Sequence, residues 1–175
     1  MNEEQVVLVD RDDNELGTMG KLKAHQRGTL HRAISVFIFD REDRLLLQQR
    51  AESKYHTPGL WTNTCCSHPA PGEKPLDAAH RRLEQEMGMA APLEFAFRFH
   101  YEAPFDNGLT EHEVDHVFIG RSSAQPRMNP EEVQDYRWLS HQEIAEEVGK
   151  DPEKFTAWFK LIYDRVFRML AERQA

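Results

Sequence analysis

The sequence predicts an α+β fold, a mixed β-sheet flanked by helices. Three observations carry this. Short β-branched and aromatic runs separated by turn residues fill the first two thirds of the chain. One helix-period segment interrupts them, and two more close the chain. No internal repeat, low-complexity segment or linker divides it, and 175 residues at 39% hydrophobic content suit one domain spanning 1–175.

Each element has its own signal. Val6 to Val9 and Leu16 to Met19 flank an acidic turn and read as a hairpin. Lys21 to His31 is polar, carries two histidines, and shows no period. Ala33 to Phe39 is a strand, Asp40 to Asp43 a turn and Leu45 to Gln49 the partner strand. Arg50 to Leu60 is a loop containing Lys54, His56 and Pro58-Gly59. Leu76 to Met87 is a helix, because Leu76, Ala79, Leu83 and Met87 recur at helical spacing and Gly88 is placed to end it. Phe95, Phe97, Phe99 and Tyr101 alternate with Ala96, Arg98 and His100, which predicts a half-buried strand with all four rings on one face. Glu111 to Gly120 and Tyr136 to Leu139 follow as strands. Ser140 and Glu143 form a capping-box pattern. Asp151-Pro152 then predicts the start of a longer helix, with Phe155, Trp158, Phe159, Ile162, Val166 and Leu170 as its buried stripe.

Composition removes several function classes. A net charge of −8 disfavours a nucleic-acid surface. The longest apolar run, Val36-Phe37-Ile38-Phe39, has strand length, so no membrane span is expected. The only cysteines, Cys65 and Cys66, are adjacent and make a strained staple; both are read as reduced, which fits a cytoplasmic protein. The acidic N-terminus lacks a secretory h-region.

Chemistry-bearing residues gather around Trp61-Thr62-Asn63-Thr64-Cys65-Cys66-Ser67-His68-Pro69. His25, His31, His68, Glu111 and Glu113 are candidate ligands for a divalent ion such as Mn²⁺ or Zn²⁺. Glu111 and Glu113 leave the same face of a strand, where two carboxylates repel and invite a cation or a raised pKa. Cys66 becomes a useful acid or base only if its surroundings tune it; otherwise it is a small apolar residue.

Aligned backwards from Gly88, Ser67 to Met89 has the spacing of a Nudix box. Glu73, Arg81, Leu83, Glu86, Gly88 and Met89 match, whereas Ser67, Arg82 and Gln85 depart. Two lost carboxylates weaken a multi-metal hydrolytic site, and Arg82 favours direct contact with phosphate oxygens.

Along almost its whole length the chain resembles the type 1 isopentenyl-diphosphate Δ-isomerases, a Nudix-fold family. The matching pieces are Gly17-Thr18 with Lys21 and His25, Leu30-His31-Arg32-Ala33, Arg50-Ala51 with Ser53-Lys54, and Pro58-Gly59-Leu60-Trp61-Thr62-Asn63 through Cys66 to His68-Pro69. Gly72-Glu73, Arg81-Arg82, Glu86, Gly88, Tyr101, Glu111-His112-Glu113-Val114 and Trp158 complete them. The resemblance implies a Nudix-like sheet core and interconversion of isopentenyl and dimethylallyl diphosphate in isoprenoid biosynthesis. It implies a Mn²⁺ or Zn²⁺ at the three histidines and two glutamates, a Mg²⁺ shared by Glu86 and the substrate diphosphate, and no flavin. It also implies phosphate contacts from Lys21, Arg50, Lys54 and Arg82, and a catalytic pair of Cys66 and Glu113. Tyr101 would support the glutamate, and Trp158 would face the reacting carbons. The partner is then a small diphosphate, and the protein a monomer or weak homodimer. Two rivals stand beside this reading: a Nudix hydrolase of a nucleoside diphosphate, and a non-catalytic module with Cys66 and His68 as structural zinc ligands.

Overall fold

The strand β3 (His31–Phe39) organises the fold; all nine of its residues are buried, as befits a strand covered on both faces. The computed structural model describes residues 4–54, 57–105 and 107–174, so His56 lies outside the described residues. Before β3 come β1 (Gln5–Val9), β2 (Glu15–Gly20) and the helix α1 (Lys21–Arg27). After it come β4 (Leu45–Arg50), β5 (Trp61–Thr62), β6 (Cys65–Ser67), the helix α2 (Pro75–Met87), β7 (Leu93–Pro104), β8 (Thr110–Arg121) and β9 (Val133–Leu139). The helices α3 (His141–Lys150) and α4 (Ala157–Gln174) close the chain.

One edge of β3 pairs in parallel with β8, from His31 opposite Glu113 to Phe39 opposite Arg121. Its other edge meets β1, β6 and β4 in turn, all antiparallel. The sheet is therefore mixed, with β7 hairpinned onto β8 and β9 onto β4. Alternation along β3 divides the interior in two. Phe37 and Phe39 join Val117, Ile119, Trp158, Phe159 and Ile162 under α4. Ile34, Val36 and Ile38 join Cys65, Leu83, Met87 and Phe118 under α2. Truncating one of the fully buried rings, such as Phe37, would cost about 3–5 kcal/mol. Among the described residues, no helix is long and apolar enough to cross a membrane.

Three expectations change. The polar stretch after β2 contains α1, whose seven residues are too few to show a period. Phe95 is 53% exposed rather than inward, because the pairing shifts from Phe95 opposite Phe118 to Phe97 opposite Val117. Ala96 is the extra residue of that bulge; it packs toward α4 and leaves Phe95 on the α2 side against Phe118 and His116. Finally, Pro152 starts only a 3₁₀ turn, Pro152–Lys154. The chain then extends, with Thr156 N–H bonded to the Trp61 carbonyl at 3.0 Å, and the helix begins at Ala157. Phe155 is buried but not helical. The Ser140 capping box forms as expected.

Candidate active site

The helix α1 ends at Gly28 in the left-handed conformation, and its last turn carries His25 into the interior with no measurable exposure. His31 opens β3 directly across from Glu113, and His68 follows β6. The ligand atoms of His25, His31, His68 and Glu113 lie within 4.8 Å of one another, all buried. His25 Nδ1 faces the Lys21 carbonyl at 2.7 Å, and His31 Nδ1 faces the Thr29 carbonyl at 2.8 Å. A carbonyl only accepts, so both Nδ1 atoms carry hydrogen and each neutral ring keeps its lone pair on Nε2. His31 Nε2 nevertheless lies 3.1 Å from Glu113 Oε2, and His68 Nε2 lies 2.8 Å from the same oxygen. Lone pair then meets lone pair at His31 unless a proton or a cation stands between them. A backbone carbonyl on Nδ1 with Nε2 turned inward is the arrangement of metal-binding imidazoles. The buried cluster thus has the donor set for a divalent metal.

Burial pushes His68 down to about 4, against the opposing pull of Glu113. Burial raises Glu113, but the His31 and His68 rings against it win and hold it well below the usual carboxylate range. Glu111 is driven the other way, first by burial and then by the Glu113 charge. Tyr101 Oη lies 2.9 Å from Glu111 Oε2 and 2.6 Å from Glu113 Oε1. One hydroxyl proton serves one of these bonds, and a proton on Glu111 serves the other. Glu111 is thus not part of the tight four-residue group; it reaches Glu113 through Tyr101.

Strand alternation separates the two cysteines. Cys65 pairs with Val36 and lies on the α2 side, while Cys66 pairs with Ser35 and faces the cleft. Cys66 Sγ accepts from Arg50 Nη1 at 3.7 Å. Burial pushes the thiol well up, more than Arg50 pulls it down, so it holds its proton at neutral pH. Trp158 lies in the same cleft, with the Arg50 guanidinium 5.8 Å from its ring centroid. Lys21, Arg50, Lys54, Arg82, Tyr101, Glu111 and Glu113 line the cleft too, so it contains most of the residues singled out from sequence.

Glu86 sits one layer back. Its Oε1 accepts from Gln48 at 2.9 Å and its Oε2 from Arg82 at 3.0 Å. The Cys65 thiol also donates to Glu86 Oε2 at 3.6 Å. With its oxygens so engaged, Glu86 fits a Mg²⁺ only as one ligand among oxygens supplied by substrate and water. Glu73 and Arg81 form a two-pronged ion pair, each bond 2.8 Å, that braces the start of α2. A Cβ on Gly88 would come within 2.7 Å of the Arg127 carbonyl oxygen, so the glycine is needed there.

Sequence reading assigned no role to Asn63, Glu132 or Asp115. Asn63 receives Trp158 Nε1–H at 3.1 Å and donates to the carbonyls of Val36 and Cys65. Glu132 pairs with Lys54 and Arg82. Asp115 accepts from Ser35 Oγ at 2.6 Å, and extending the Glu111, Glu113 period by one step would have found it.

The NUDIX domain family matches residues 29–159. An isopentenyl-diphosphate Delta-isomerase 2 of Aromatoleum aromaticum is 52% identical over 164 residues, 94% of this chain and 87% of that one. An isopentenyl-diphosphate Delta-isomerase of Pectobacterium atrosepticum is 53% identical over 162 residues, covering 93% and 90%. Among solved structures, a Deinococcus radiodurans protein superposes with a TM-score of 0.70 at 20% identity, over 84% of this chain and 90% of that one. The MutT protein of Methanosarcina mazei gives 0.63 at 20% identity, over 83% and 96%. These two speak for the fold alone. With half its residues shared with these relatives over nearly its full length, the chain belongs to the isopentenyl-diphosphate Delta-isomerases of the NUDIX family.

Proposed function

We propose that this chain interconverts isopentenyl and dimethylallyl diphosphate by adding a proton to one alkene carbon and removing another from the carbon next to the diphosphate-bearing one. The observation that carries the reading is one cleft holding a protonated thiol, Cys66, and an ionised carboxylate, Glu113, with Lys21, Arg50, Lys54 and Arg82 beside them. The four cations hold the diphosphate. The alkene then lies between Cys66 and Glu113. Cys66 donates and Glu113 accepts in one direction, and the reverse direction begins from the opposite protonation states. Protonation leaves a tertiary carbocation, which water would trap, so the buried walls around Tyr101 and Trp158 exclude it. The Trp158 face lies toward that charge, a contact of about 2 kcal/mol when desolvated. Tyr101 holds Glu113 by the 2.6 Å bond.

A divalent Mn²⁺ or Zn²⁺ held by His25, His31, His68 and Glu113, with Glu111 alongside, would fix Glu113 and tune its basicity. A Mg²⁺ would join Glu86 to the substrate diphosphate. The hydrolase alternative is disfavoured because Arg82, standing where that motif has a carboxylate, is paired with Glu86.

The test is turnover of isopentenyl diphosphate in deuterated water, with and without chelator. Deuterium should enter dimethylallyl diphosphate and be lost on chelation. Release of inorganic phosphate without isomerised product would overturn the proposal.

A further inference from the structure

We propose that Glu132 is a positioning residue for the diphosphate: it ties Lys54 and Arg82, which come from separate elements, into one cationic face. The inference rests on the assignment above that these cations hold the diphosphate.

Lys54 lies in the loop between β4 and β5, and Arg82 on α2. Both are long side chains with many rotamers, and an anion that had to gather them would lose affinity to that ordering. The Glu132 carboxylate pairs with Lys54, and its Oε2 lies 3.4 Å from Arg82 Nη2. The same Nη2 is 3.0 Å from Glu86 Oε2, so Arg82 is held from two sides. The three side chains are only 22%, 17% and 23% exposed, which shields their pairing from solvent.

The backbone argues the same way. Glu132 accepts from Ala51 N–H at 3.0 Å, beside the loop that carries Lys54. Its own N–H bonds to the Asn129 carbonyl at 2.9 Å, and Asn129 N–H bonds to the Glu86 carbonyl at 2.9 Å, on α2. The turn from Asn129 to Glu132 is therefore fastened to the same two segments whose cations its carboxylate joins. Lys54 and Arg82 both line the cleft, and Glu132 pairs with each of them.

Charge alone argues for the opposite effect. A carboxylate beside an anion site repels the anion, so removing it should tighten binding. Positioning requires that removing it weakens binding, and the sign of the change decides between them. In Glu132→Gln, KM for isopentenyl diphosphate and the inhibition constant of inorganic pyrophosphate should each rise about tenfold, with kcat within about twofold. Glu132→Asp should recover part of the loss. In a Lys54→Met background, Glu132→Gln should add little further, because the pair acts as a unit. Unchanged or tighter pyrophosphate inhibition in Glu132→Gln at an unchanged melting temperature would overturn the proposal. If Glu132→Gln does not fold, Glu132→Asp decides by the same sign. Failure of the underlying assignment looks different: pyrophosphate would not compete in the parent enzyme, or Arg82→Gln would leave KM unchanged.

Discussion

Asn63 Oδ1 accepts the indole N–H of Trp158 at 3.1 Å, joining residues 95 positions apart and aligning the tryptophan ring with the cleft. The same amide donates to the carbonyls of Val36 and Cys65, at 3.1 and 2.7 Å, so one side chain fixes both the ring and the strand that carries Cys66. Asn63→Leu should lower kcat by about tenfold or more and destabilise the fold by about 1–3 kcal/mol, since buried carbonyls lose their donor. Steady-state kinetics and denaturant unfolding check both halves. An unchanged kcat would remove Asn63 from the site.

The two cysteines should separate cleanly. Cys66→Ala should still bind pyrophosphate yet lose turnover by about 10²–10⁴-fold. Cys65→Ala, on the far face of the sheet, should keep turnover within about tenfold and act mainly through the lost bond to Glu86. Comparable losses in the two variants would contradict the face assignment.

Binding of a divalent cation at pH 7 should release protons, because the cation displaces the proton held between His31 Nε2 and Glu113 Oε2 and the one on Glu111, while His25 and His68 are already neutral. Calorimetry in buffers of different ionisation enthalpy measures this release. Glu111→Gln should reduce it, and proton uptake in the parent would contradict the proton assignment.

The cation-free protein should have a defined acid response. Burial depresses His68 to about 4 from 6.5, so the unfolded chain takes up that proton first. Stability is then full above pH 6.5 and falls as pH drops toward 4, by on the order of 3 kcal/mol for this group. His25 is depressed by burial in the same sense. Glu111 and Asp115, both raised first by burial, work oppositely in part of that window. Chelated Glu111→Gln removes part of the opposition, and its melting temperature should fall more steeply than the parent's as pH drops from 6.5 to 4. A flat profile would count against neutral, buried histidines.

Glu86→Gln should weaken both pyrophosphate binding and Mg²⁺ dependence, since it removes a charge from Arg82 and a ligand from the proposed ion. If titrations with and without Mg²⁺ match the parent, the Mg²⁺ role fails.

The legible parts of this molecule are those with a local cause. The period of α2 and its glycine stop, the capping box of α3, and the two-residue step from Glu111 to Glu113 can each be read within one stretch of chain. The next two-residue step, from Glu113 to Asp115, is equally local. The bulge at Ala96 was not readable, because Phe95, Phe97, Phe99 and Tyr101 alternate without a break; only pairing against Phe118 and Val117 turns Phe95 away. The late start of α4 had the same kind of cause. The Thr156 amide is bonded to the Trp61 carbonyl, and nothing near residue 156 announces that.

The sequence by itself determined the fold class, the reduced adjacent cysteines and, through resemblance, a ligand set and a catalytic pair to look for. The tertiary structure decided which of them meet. His25, His31, His68 and Glu113 come from α1, β3, the end of β6 and β8, and the register of β3 against β6 and β8, with α1 packed on β8, closes them to within 4.8 Å. The same register put Cys66 in the cleft and Cys65 beneath α2, while the pairing of β7 with β8 joined Glu111 to Glu113 through Tyr101, and the turn before β9 set Glu132 between Lys54 and Arg82. Strand periodicity says which residues share a face, but which faces meet is set by packing and hydrogen bonding between segments far apart in the chain.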